Sequence, residues 1–103
     1  MKLLIILSVA DSSDEVRSML TRNHVPVYSE TEMYGFRTEK HQPDIRTWFS
    51  QPDKGIYSTL FFSFQNDVTV KKILDEVRVY NKDVQEDEDN PLHAYSVAVD
   101  EHA

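Results

Sequence analysis

The chain alternates between short apolar runs and apolar stripes at helical spacing. "LLIIL", within Lys2–Val9, is a continuous apolar run bounded by a turn and predicts a buried strand. Ser12 followed at i+3 by Glu15 has the form of a capping box, in which hydroxyl and carboxylate satisfy free N–H groups at a helix start. Val16, Met19 and Leu20 then recur at i, i+3, i+4 and give that helix one apolar stripe. Pro26 ends it, because the residue before a proline is pushed away from helical geometry. From 27 to 36 the pattern changes to alternation. Val27, Ser29, Thr31 and Met33 fall on one face, and Tyr28, Glu30, Glu32 and Tyr34 on the other, so a second strand is expected, with Gly35 closing it.

The second half repeats the order. "IYSTLFFSF", from 56 to 64, is β-branched and aromatic and predicts a strand. Asn66 or Asp67 caps a helix whose Val70, Ile73, Leu74 and Val77 form its stripe. After the acidic stretch "DVQEDEDN", "LHAYSVAVD" reads as a last strand. Two β-α-β halves with right-handed crossovers interleave into a four-stranded antiparallel sheet with both helices on one face. This is the ferredoxin-like βαββαβ sandwich of the α+β class. The third strand carries aromatic groups on both faces: Tyr57, Thr59 and Phe61 on one, Leu60, Phe62 and Phe64 on the other. The face away from the helices therefore needs a cover, and a further subunit is the simplest one.

Composition narrows the class. A length of 103 residues predicts a single domain over 1–103. The absence of cysteine excludes disulfides, thiolate metal sites and a cysteine nucleophile, and fits a cytoplasmic protein. With a net charge of −7 and a pI near 4.9, the surface repels phosphates, so no nucleic acid partner is expected. The opening "MKLLIILSVADSSDEV" has a basic residue and an apolar run, as a signal peptide does. Yet the run is short, no small-x-small cleavage site follows cleanly, and it leads into a helix start, so a first strand is the preferred reading. No segment reaches the roughly 20 apolar residues that span a bilayer, so direct membrane insertion is not expected.

Between the halves lies a connection at 37–55, about 19 residues long, well beyond ordinary loop lengths. It holds Trp48, Phe49, Arg37, Arg46, Lys40 and His41, the residue types that interfaces use. The stretch just before and into it, "ETEMYGFRTEKH", resembles the signature "TExxGFGRQKGH" of the PII signal-transduction proteins (the nitrogen regulatory protein P-II superfamily). Thr31, Glu32, Gly35, Phe36, Arg37, Lys40 and His41 keep its residue types, allowing for one missing glycine after Phe36. The layout of the whole chain agrees, while the motif itself covers only 30–41.

The resemblance implies a homotrimer that binds a small-molecule or ion effector in clefts between subunits and reports it to a partner through the long loop. A membrane transporter is one such target. On this reading Ser29, Gly35, Phe36, Arg37 and His93 contact the effector, and Arg46, Trp48 and Phe49 contact the partner. The chain departs from the family where a Gly- and Lys-rich "TGKIGDGKIF" segment holds nucleotide phosphates. It has "NKDVQEDEDNPLHAY" instead, so Asp83, Glu86, Asp87, Glu88 and Asp89 would meet a triphosphate with like charge. The basic C-terminal residues and an "RGAEY"-like modification site are also missing. These departures weigh against standard ATP binding.

Other chemistry is thinner. The acidic run lacks the ligand spacing of a calcium loop and reads as solvated. Of the four histidines, His41 and His93 are the weak candidates for a metal shared between subunits; otherwise each is a surface side chain. The rival class is a dimeric α+β barrel enzyme of monooxygenase or isomerase type, with Tyr28, Tyr34, His93 and Tyr95 as its only obvious groups. No nucleophile–base pair can be read from spacing, and the non-catalytic reading is preferred.

Overall fold

The computed structural model describes residues 1–36, 56–84 and 91–103. In these residues, β1 is Lys2–Val9, a 3-10 turn follows at Ala10–Ser12, and α1 is Ser13–Arg22. β2 is Ser29–Gly35, β3 Ile56–Gln65, α2 Asp67–Val84 and β4 His93–Ala98. The strands form one sheet in the order β2-β3-β1-β4, and every neighbouring pair is antiparallel. That is the ferredoxin-like sandwich read from the sequence.

One face of the sheet carries the core. Leu4, Ile6 and Phe61 meet Val16, Met19 and Leu20 of α1 and Val70, Ile73 and Val77 of α2, all buried. Both predicted stripes are thus the contact lines, and the helices share one side. Tyr28 packs against this cluster with its ring 6.1 Å from that of Phe61. A layer of small hydroxyls continues the same face toward the start of α1. Ser8 and Thr59 are buried there, and the Ser13 and Thr59 hydroxyls are 2.8 Å apart.

The helix termini differ in how far they follow the sequence pattern. Asn66 is the cap of α2: its Oδ1 accepts the Thr69 N–H at 2.8 Å. The capping box at Ser12 and Glu15 does not form. The 3-10 turn runs straight into α1, Ser12 sits at φ −99° and ψ 5° rather than in extended geometry, and its side chain makes no capping bond. Glu15 turns to Arg22 at 3.9 Å. At its far end α1 closes with a left-handed residue, His24 at φ 58°. The His24 N–H donates to the Thr21 carbonyl at 3.1 Å and the Val25 N–H to the Leu20 carbonyl at 3.0 Å, the paired bonds of a Schellman motif. Its accompanying apolar contact is here: Leu20 and Val25 both belong to the core.

Surface ion pairs tie elements together. Arg17 of α1 grips Glu30 of β2 with two bonds, Nε–Oε1 at 3.0 Å and Nη2–Oε2 at 2.8 Å, and also reaches Asp14 at 2.6 Å. Arg22 pairs with Glu76 of α2.

Candidate functional site

Antiparallel register decides what shares a face. Opposite the helices, Ser29, Phe62, Ile5 and Tyr95 form one cross-strand row, and Thr31, Leu60, Leu7 and His93 the next. Phe64, Leu3 and Val97 form a third. The result is an apolar surface with water on its outer side: Phe64 is 52% exposed and Tyr95 49%. The two-faced aromatic pattern of β3 foretold this surface. Its predicted cover, another subunit, is not part of a single chain.

Ser29 and His93 both belong to this surface, at opposite edges of the sheet. Three strand spacings of about 4.8 Å, roughly 14 Å, separate their strands, and they lie in neighbouring cross-strand rows. Each borders a groove. Ser29 lies with Pro26, Val27, Phe62 and Phe64 around one of about 440 Å³. His93 lies with Arg78, Asn81 and Leu92 around one of about 220 Å³ beneath α2. Asn81 braces that second groove, because its side chain bonds both backbone groups of Leu92, at 2.9 Å to the carbonyl and 2.8 Å from the N–H. His93 is half-buried, and burial holds its imidazole below the usual range by disfavouring the charged form.

Gly35 ends β2 opposite Ile56, and Phe36 follows it into solvent at 64% exposure. One chain therefore does not bring Ser29, Gly35, Phe36 and His93 together. Arg37, His41, Arg46, Trp48 and Phe49 lie outside the described residues, as do the acidic positions 86–89; Asp83 is exposed in the last turn of α2. Among the described residues no group of three or more His, Asp or Glu side chains is placed to hold a metal ion. No helix of the described residues is long and apolar enough to cross a membrane. The four groups considered for an enzyme are split. Tyr28 and Tyr34 lie on the helix side at the β2 edge, and His93 and Tyr95 on the opposite face along β4.

One cluster escaped sequence reasoning. Across β2 and β3, Tyr34 lies directly opposite Tyr57, their rings edge to face with centroids 5.5 Å apart at 84°. The Tyr57 hydroxyl bonds the Glu32 carboxylate, which holds the phenol above its ordinary pKa. Two residues earlier on the same face of β2, the Arg17 fork holds Glu30 below the usual carboxylate range. The alternation of β2 places Glu32 and Tyr34 on one side, but only the strand register could have supplied Tyr57.

No protein-family model and no curated protein matches the chain. Solved structures do. One is CPII, a nitrogen regulatory PII-like protein from Thiomonas intermedia K12, bound to ADP, AMP and bicarbonate. It matches over 99% of this chain and 94% of its own, with a TM-score of 0.61 and 13% identity. The apo form of CPII matches over 95% and 89%, with a TM-score of 0.60 and 12% identity. CPII bound to ADP, AMP and acetate gives 97%, 88%, 0.59 and 14%. At such identities the likeness is one of fold: the chain shares the fold of CPII.

Proposed function

We propose that the chain is a non-catalytic, PII-like regulator. It assembles as a homotrimer in the cytoplasm and senses a small molecule or ion in clefts between subunits. The loop at 37–55 carries the signal to a protein partner, a membrane transporter being one candidate. The observation that carries this reading is the bare apolar sheet face with Ser29 and His93 at its two edges. A sheet face of this kind is stable when another copy covers it. In a closed ring, the β2 edge of one subunit meets the β4 edge of the next, so two half-grooves of one chain become one cleft. Ser29 at the start of β2 and Gly35, Phe36 and Arg37 at and beyond its end are what that edge contributes to the cleft, His93 is what the neighbour contributes, and effector contacts bias the loop between states. The fold shared with CPII supports the ligand class: CPII was solved with ADP, AMP and bicarbonate. Because Asp83 and the acidic stretch after it oppose a triphosphate, ligands with fewer phosphates or a bicarbonate-sized anion fit better than ATP.

Light scattering on the full chain tests the assembly, with three subunits expected. A stable dimer would favour the α+β barrel enzyme, and a monomer at micromolar concentration would end the proposal. Calorimetry with ATP, ADP, AMP, bicarbonate and divalent metals tests the effector, with AMP, ADP or bicarbonate expected to bind and ATP not.

A further inference from the structure

We infer that Glu32, Tyr34 and Tyr57 form a recognition corner for the guanidinium group of an arginine on a partner protein. The two tyrosine rings stand nearly perpendicular, 84° apart with centroids 5.5 Å from each other. They leave an aromatic angle open to solvent, with Tyr34 62% and Tyr57 40% exposed. A cation over such faces is attracted by the ring quadrupole, and a planar guanidinium can also stack. The Glu32 carboxylate holds the Tyr57 hydroxyl and, having about four lone-pair sites, has acceptor positions for N–H donors beyond it.

That acceptor favours a guanidinium over a quaternary ammonium, which has no N–H to donate. A net charge of −7 draws basic surfaces toward the chain. The corner is shallow, which suits a side chain presented by a protein better than a free small molecule needing enclosure. It is built from β2 and β3 of one subunit, so it stands or falls independently of the trimer.

The test is an NMR titration of the full chain with a capped Gly-Arg-Gly peptide, its citrulline analogue, methylguanidinium and sodium chloride at matched ionic strength. The arginine peptide should move the signals of Glu32, Tyr34 and Tyr57 saturably, and the neutral citrulline isostere should bind roughly tenfold more weakly. Tyr34→Leu, which keeps apolar bulk, and Glu32→Gln should each weaken the arginine peptide about fivefold or more. Signals from the core report that both variants are folded. Equal binding of the citrulline peptide, or the same shifts with salt alone, overturns the site. Methylguanidinium binding as tightly as the peptide overturns the partner-protein source.

Discussion

At the scale of single residues, the departures from pattern are where stability can be gained or switched. His24 is a non-glycine residue in the left-handed region, a conformation that costs an L-residue about 1–2 kcal/mol. Glycine removes that cost but loses more entropy on folding, so His24→Gly should stabilise by about 0.5–1 kcal/mol, read as a higher urea midpoint with unchanged slope. No change would mean that the His24 side chain holds something the Schellman turn alone does not explain. His93 points the other way. Its folded pKa lies below the usual 6.5 because burial disfavours the imidazolium, so the unfolded chain binds the proton more readily. Its stabilising contribution is therefore complete above 6.5, is lost as pH falls below that value, and levels off beneath the folded pKa. Glu30, lowered from 4.5 by Arg17, loses its contribution only in stronger acid, so the two windows separate. Melting curves from about pH 7.5 to about pH 5.5 should show the midpoint falling, and His93→Gln should flatten that fall.

At the scale of elements, the stripes Val16-Met19-Leu20 and Val70-Ile73-Val77 are legible in the sequence because a helix that buries one face must repeat apolar residues near every 3.6 positions. Strands β1 and β3 are legible for other reasons, a short continuous apolar run in the first and β-branched and aromatic residues in the second. The capping box is not, because the same Ser-x-x-Glu pattern serves a 3-10 entry as readily as an extended one, and only backbone angles separate them. The buried hydroxyls are not legible either. Ser8 reads as a polar strand end, yet it is fully buried with no partner for its Oγ among the described residues. The Tyr34–Tyr57 corner depends on register across a long connection, where no tight turn sets the pairing. Asn81 shows how a helix residue can stand in for a strand: it bonds both backbone groups of Leu92 just before β4. Asn81→Ala leaves both without that partner and should cost about 1–3 kcal/mol, measured by urea unfolding. Loss of under about half a kcal/mol would mean that water replaces the amide without penalty.

At the scale of the whole molecule, the sheet has one face packed by helices and one left exposed among the described residues, and the second is where the proposed assembly and function meet. Phe62, Phe64, Tyr95 and Val97 lie on the wet side, with no helix of the described residues over them. Fully burying such a side chain is worth about 1.5–3 kcal/mol; these are already about half-buried, so each gains roughly half of that, and their repetition in every subunit is what would offset the cost of association. A charge at the centre of this face should therefore separate two properties. Phe62→Glu should convert a trimer to monomers at micromolar concentration, because three carboxylates would be driven toward one dry surface. It should leave each chain folded, since Phe62 is already partly wet in an isolated subunit and the core lies on the other side of the sheet. Val68→Glu is the matched control: Val68 is apolar and 66% exposed, but belongs to the first turn of α2, away from the sheet face. If both variants keep their assembly, the sheet face is not the interface, and the half-grooves at Ser29 and His93 do not meet. If Phe62→Glu alone falls apart, ligand titration of the resulting monomer becomes decisive. A cleft built from two subunits must then lose its effector, while the arginine corner of β2 and β3 must keep its own ligand.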